Sequence, residues 1–184
     1  MVETLSRMLP LGTHASDFNL PDTISGKMIS LDAIKSNIAT VIMFICNHCP
    51  FVKHVQQEFV NLASDYLPKG ISFVAINSND IAQYPEDSPK RMKEVAENLG
   101  YTFPYLYDES QEVARNYQAA CTPDFYIFDS SLLLVYRGQL DDSRPGNTIP
   151  VTGRDIRNAL DNILEGRSVD QNQKPSIGCN IKWK

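Results

Sequence analysis

Val41-Ile42-Met43-Phe44-Ile45-Cys46-Asn47-His48-Cys49-Pro50, continued by Phe51 to Leu67, is the stretch whose reading decides the rest of this chain. Five consecutive apolar residues rich in β-branched side chains predict a strand covered on both faces. After Pro50, the residues Val52, Val55, Phe59, Leu62, Ala63 and Tyr66 recur at helical spacing, and Lys53, Gln56, Gln57 and Asn61 fall on the wet side. The two cysteines therefore stand where a strand gives way to a helix. Unpaired backbone N–H groups and the positive end of the helix dipole favour an anion there, so the Cys46 thiolate is expected to be stabilised. Cys49 follows one helical turn later, close enough for a disulfide to close and reopen. Two other readings remain open. C-x-x-C can be half of a zinc site, with His48 and His54 as the nearby additions and no second C-x-x-C in the chain. The cysteines can also be unreactive core residues, against which the polar Asn47 and His48 suggest a partly open turn.

With 184 residues, 42 % of them hydrophobic and 21 % charged, the chain is sized and composed for one domain with a buried core. Residues 1–167 are read as that domain and 168–184 as a tail docked on it. Acids and bases are interspersed at a net charge of −5 with no basic cluster, which argues against a nucleic-acid or anionic-membrane surface. No apolar run approaches the ~20 residues of a membrane span, and Met1 to Pro21 lacks a signal-type core, so a cytoplasmic location is expected. In a reducing compartment four cysteines point to redox chemistry rather than structural staples.

Outward from the dithiol, strands alternate with helices. Ile71 to Ile76 reads as a second central strand. A helix opens at Ser88-Pro89, buries Met92, Val95, Ala96 and Leu99, and stops at Gly100. Thr102 to Leu106 is a further strand. Asp108 with Gln111 resembles a capping box opening a short helix through Tyr117. Phe125–Phe128 and Leu132–Tyr136 pair as a hairpin across Asp129-Ser130-Ser131. Thr152 with Asp155 opens a last helix through Leu164, closed at Gly166. The sum is a mixed central sheet with helices on both faces.

That order of elements, the dithiol at the first long helix, and Thr122-Pro123 before the strand Phe125–Phe128 resemble the thioredoxin fold. The resemblance implies that Pro123 is a cis-proline facing the dithiol and that Thr122 and Pro123 place the incoming substrate backbone. Ala15-Ser16-Asp17-Phe18-Asn19-Leu20-Pro21 through Gly26-Lys27 and Ser30-Leu31, with Phe103-Pro104-Tyr105-Leu106-Tyr107-Asp108, resemble the peroxiredoxin branch of that fold, the AhpC/TSA family. The first of these segments implies an N-terminal β-hairpin extension, and the similarity runs over about residues 10 to 165.

Departures from both patterns shape the expected chemistry. Thioredoxins carry tryptophan before the first cysteine and Gly-Pro between the two; here Ile45 precedes Cys46, Asn47-His48 intervene, and the single Trp183 lies in the tail. Histidine before the second cysteine resembles the disulfide isomerases, which implies that His48 pairs with the Cys46 thiolate and raises the potential toward about −180 mV rather than about −270 mV. The peroxiredoxin signature Pro-x-x-x-Thr-x-x-Cys precedes neither cysteine.

The expected activity is a thiol-disulfide oxidoreductase, in which Cys46 attacks, Cys49 resolves, His48 assists, and Thr122 and Pro123 position the substrate. Disulfide-bearing or thiol substrates and a recycling thiol reductant are its expected partners, with no cofactor or metal. The alternatives are a thiol peroxidase and a redox-sensing or zinc-holding interaction module. Cys121 beside Thr122-Pro123, and Cys179 flanked by Ile177, Ile181 and Trp183, are candidate resolving or regulatory thiols, the tail folding back so that Cys179 reaches Cys121 or Cys46. Lys53 and His54 are read first as solvated helix-face residues and otherwise as proton shuttles.

Overall fold

The computed structural model describes residues 3–184. In chain order the strands are β1 (Glu3–Leu5), β2 (Asn19–Pro21), β3 (Met28–Ser30), β4 (Ala39–Phe44), β5 (Ser72–Asn77), β6 (Tyr105–Tyr107), β7 (Cys121–Thr122), β8 (Asp124–Asp129), β9 (Leu134–Gly138) and β10 (Ile177–Asn180). The helices are α1 (Leu31–Ile34), α2 (Pro50–Tyr66), α3 (Pro89–Leu99), α4 (Glu112–Asn116) and α5 (Arg154–Leu164). Among the described residues, no helix is long and apolar enough to cross a membrane.

The main sheet runs β6-β5-β4-β8-β9. β4 pairs parallel with β5 and β5 with β6, while β8 runs antiparallel to both β4 and β9. All six residues of β4 are buried, as a central strand covered on both faces requires. Alternate side chains feed two cores. Val41, Met43, Phe73, Ala75, Phe125 and Ile127 meet Phe59 and Leu62 of α2, Met92 and Ala96 of α3, and Ile156 and Leu160 of α5. Ile42, Phe44, Val74, Ile76, Tyr126 and Phe128 meet Leu31 of α1 and Val113 and Ala114 of α4 on the other face. Each fully enclosed large side chain, Phe59 at 0 % exposure for example, contributes about 1.5–3 kcal/mol by leaving water. This is a thioredoxin-like α/β fold, and β2 with β3 forms the expected antiparallel hairpin before it.

A second sheet, β1-β10-β7, involves the C-terminal segment directly. β10 lies antiparallel between β1 and β7, opposite Glu3 to Leu5 on one side and Cys121 and Thr122 on the other. Ile181 is buried in the second core, and Trp183 is 39 % exposed, its ring 5.1 Å from the Arg115 guanidinium.

Two capping boxes expected from sequence are absent. Gln111 adopts φ 64° and sends its side-chain amide to the Ser78 and Lys182 carbonyls, so α4 begins at Glu112 and Asp108 instead accepts from the Ala114 N–H. Before α5, Gly153 at φ 64° is the cap, and the Thr152 and Gly153 N–H groups are both taken by Asp141 at 2.7 Å. In both places a distant polar partner outcompetes the local cap. α3 begins and ends at Ser88 and Gly100 as expected, although the Ser88 side chain makes no cap bond, and Val95 and Leu99 are only half buried.

Candidate active site

β4 ends at Phe44, and Ile45 to His48 cross its end before α2 opens at Pro50. The helix begins later than the dithiol pattern suggests: Cys49 is its N-cap, and Cys46 lies outside it. The turn is also more closed than its polar residues imply. Cys46 and Cys49 are 1 % and 0 % exposed, with Asn47 and His48 half buried between them.

Thr122 joins the two thiols. Its hydroxyl lies 3.2 Å from the Cys46 sulfur, and its carbonyl oxygen lies 3.2 Å from Cys49 Sγ, accepting from it while Cys49 is a thiol. The Thr122-Pro123 peptide is cis, and Pro123 O accepts from Ser176 Oγ at 2.7 Å. Cys179 also enters the site, its sulfur 2.8 Å from that of Cys49. The tail thus brings Cys179 to Cys49, which corrects the expected approach to Cys121 or Cys46: in the register of β10, Cys179 pairs with Thr122, whose carbonyl already contacts Cys49. Cys121 is buried beside this group and hydrogen-bonds Pro123 O at 3.7 Å.

The electrostatics reverse the expected order of the two thiols. Burial pushes the Cys46 thiol well above its ordinary value, and the Asp87 carboxylate pushes in the same direction. Cys49 is lowered to about 5, chiefly because the Cys46 thiol donates to its sulfur, with further support from Cys179 and the first-turn amide of Val52. These directions, with Cys49 at the true helix N-cap, favour an anion on Cys49 over one on Cys46.

His48 makes no hydrogen bond to Cys46 among the described residues, although a ring nitrogen lies within 4.8 Å of its sulfur. Its Nδ1 lies 2.6 Å from Asp87 Oδ2, and its ring stacks on Tyr84 at 4.9 Å. Nε2 is buried without a hydrogen-bond partner among the described residues, so neither ring nitrogen bonds a cysteine sulfur. Asp87, unmarked in the sequence except as the residue before Ser88-Pro89, organises the turn. It accepts from the Asn47 and His48 backbone N–H groups at 2.7 and 3.3 Å, and from Asn79 Nδ2 at 2.8 Å. The Asn47 side chain is held by Glu86 O and the Tyr105 hydroxyl. Sequence periodicity offers no signal for contacts that join residues forty positions apart. His54 bonds Ser143 Oγ at 2.7 Å, and Lys53 is exposed.

Cys46, His48 and Asp87 each offer a ligand atom within 4.8 Å of the others. Structural zinc takes four ligands, and here the Asp87 oxygens are already engaged by two backbone amides, Asn79 and His48. The Asp87 corner of the cluster is held by these hydrogen bonds, while His48 Nε2 has no partner among the described residues.

Fold and site together define a thioredoxin-fold protein whose thiols gather around a cis-proline. Residues 11–137 match the model of the AhpC/TSA family, and the chain belongs to that family. An uncharacterized conserved protein from Geobacillus kaustophilus is similar over 100 % of this chain and 97 % of its own, at 69 % identity and a TM-score of 0.99. A hypothetical protein from Sinorhizobium meliloti is 48 % identical over 98 % of each chain, with a TM-score of 0.96. The thioredoxin domain of a thiol-disulfide oxidoreductase from Bacteroides vulgatus shares the fold at 15 % identity and a TM-score of 0.60, over 74 % of this chain and 90 % of that one. Nothing among the curated proteins matches the chain.

Proposed function

We propose that the protein is a thiol-disulfide oxidoreductase acting on disulfide-bearing or thiol substrates through a reversible Cys46–Cys49 disulfide. The observation that carries this reading is the pair itself, Cys46 and Cys49 each 3.2 Å from Thr122 of the cis Thr122-Pro123 peptide, with Cys49 at the helix N-cap and its thiol lowered. Cys46 takes the attacking role, because the Cys49 sulfur is packed against that of Cys179 and so is placed to resolve rather than to meet a substrate. Cys46 attacks one sulfur of the substrate disulfide as its proton passes to the Cys49 thiolate, which acts as the adjacent base. The first substrate thiolate leaves and a mixed disulfide forms. Cys49 then attacks Cys46, the Cys46–Cys49 bond closes, and the second substrate sulfur departs with the proton that Cys49 held. Asp87 positions the turn rather than touching the reacting sulfurs.

Turnover of insulin disulfides with dithiothreitol as recycling thiol tests this directly. Wild type is expected to accelerate the reduction, and Cys46→Ser to fall to the uncatalysed rate. Equal rates for the two proteins would overturn the reading. A thiol peroxidase is the second reading, favoured by family membership; consumption of hydrogen peroxide that outpaces insulin reduction would select it.

A further inference from the structure

We propose that Cys179 is a third redox thiol, presented to Cys49 by the chain's own strand β10 where it runs along β7. This rests on the oxidoreductase reading above. Three independent features place it there. The Cys179 and Cys49 sulfurs are 2.8 Å apart, so closing to a disulfide of about 2.05 Å requires less than ~1 Å of movement. β10 runs antiparallel along β7 with Cys179 opposite Thr122, the residue that contacts both dithiol sulfurs. Gly178 permits that approach: a Cβ there would fall 2.0 Å from the Thr122 carbonyl oxygen and 2.6 Å from its carbon, so any side chain would force the strand away.

The strand is also held from its outer side. β1 pairs with it at Glu3 to Leu5. Beyond it, Lys182 N–H donates to Asn79 Oδ1 at 2.8 Å, and the same Asn79 donates to Asp87 behind the dithiol turn. Cys179 is therefore anchored to the same network that shapes Cys46 to Cys49.

The step is an internal exchange. After the Cys46–Cys49 disulfide has formed, the Cys179 sulfur attacks Cys49; the Cys49–Cys179 bond forms and the Cys46–Cys49 bond breaks. The electron pair of the broken bond leaves on Cys46, and the Cys179 proton follows it. One disulfide replaces another, so no outside oxidant or reductant is consumed. The disulfide is thereby moved from Cys46–Cys49 to Cys49–Cys179, and Cys46 is returned as a thiol. With Cys49 bonded to Cys179, Cys46 has no resolving neighbour until a reductant reopens the inner pair.

The test compares wild type, Cys179→Ala and Cys46→Ser in graded mixtures of reduced and oxidised glutathione, with alkylation, proteolysis and mass-spectrometric mapping. Cys46→Ser is expected to form Cys49–Cys179, Cys179→Ala to form Cys46–Cys49 alone, and wild type to yield both, with Cys46 alkylated in the molecules that carry the inner bond. Gly178→Ala, which removes no sulfur but pushes β10 from Thr122, is expected to lose the Cys49–Cys179 product and keep Cys46–Cys49. Should Cys46→Ser misfold, Cys46→Ala replaces it. If Cys49 and Cys179 remain fully alkylated in the Cys46 variant while Cys179→Ala still closes Cys46–Cys49, the relay is overturned and the oxidoreductase reading stands. If Cys179→Ala forms no disulfide at all, the oxidoreductase reading fails and the relay falls with it.

Discussion

Cys49 and Cys121 are both 0 % exposed and both lie against the Thr122-Pro123 segment, yet their thiols are driven in opposite directions. Cys49 is surrounded by donors: the Cys46 thiol, the Cys179 thiol and the opening turn of α2 lower it to about 5. Cys121 has burial and the Asp124 carboxylate against it, with Arg137 opposing only in part, and it is raised far out of the physiological range. Burial alone disfavours a thiolate; what makes a buried cysteine reactive is the count of hydrogen bonds aimed at its sulfur. One segment thus has a side built from sulfur, which the proposed function makes the redox side, and a structural side built from the Arg137–Asp124 pair.

The structural side offers the largest effect with which to break this division. Arg137 and Asp124 are fully enclosed, 3.4 Å apart, and Arg137 also donates to the Gln118 carbonyl and lies 4.8 Å from the Tyr126 ring. Burial outweighs the arginine and pushes the Asp124 carboxyl up to about 7. Asp124→Ala would leave a buried guanidinium without its carboxylate, and a loss of about 3–5 kcal/mol is expected in urea denaturation. Replacing both residues together, as Asp124→Leu with Arg137→Met, is expected to recover most of that loss. The pattern of disulfides in Asp124→Ala should match wild type wherever the protein is folded. A changed pattern would mean that the ion pair belongs to the redox side after all.

A smaller effect, in the titration of Cys49, sharpens the other half. The thiolate absorbance of the reduced protein is expected to rise near pH 5, to lose that step in Cys49→Ser, and to move upward in Cys179→Ala, which removes one donor. The sign for stability follows from the same shift. Between pH 5 and 9 the folded chain has released a Cys49 proton that the unfolded chain retains, so the Cys49 contribution to stability rises with pH across that window and is lost as pH falls through 5; below pH 7 the raised Asp124 carboxyl contributes a slope of the opposite sign, so the net rise is expected between pH 7 and 9. Cys49→Ser should flatten this slope in denaturation measured at each pH. An unchanged slope would place the anion elsewhere.

How much of this was readable beforehand depended on whether the determinant was local. The strand before Cys46, the face of α2 and the stop at Gly100 follow from periodicity and single-residue conformational preference, which a sequence displays directly. The resemblance carried by Thr122-Pro123 supplied the cis-proline beside the dithiol. Position of charge was not legible. Assigning the thiolate to Cys46 assumed that α2 begins there, but Pro50 starts the helix and leaves Cys49 as the cap. His48 was read against its sequence neighbour, whereas its ring is taken by Asp87, thirty-nine positions away. Cys179 could be seen as an isolated cysteine between anchoring residues, but the sulfur it meets is fixed by strand register, to which the missing side chain of Gly178 is the one clue in the sequence.

The smallest effect belongs to Cys121. Its neighbours disfavour an anion, its single hydrogen bond goes to the Pro123 carbonyl, and the position opposite it in β10 is held by Asn180 while Cys179 faces Thr122. Cys121→Ala removes one buried sulfur and is expected to cost about 1 kcal/mol, within the ordinary range for a core truncation. Insulin reduction, the step near pH 5 and the mapped disulfides should all remain as in wild type. The informative failure is a disulfide that disappears. Were Cys121→Ala to remove a product that Cys179→Ala retains, the neighbouring thiols would be exchanging across Thr122, and four sulfurs rather than three would have to be counted on the redox side.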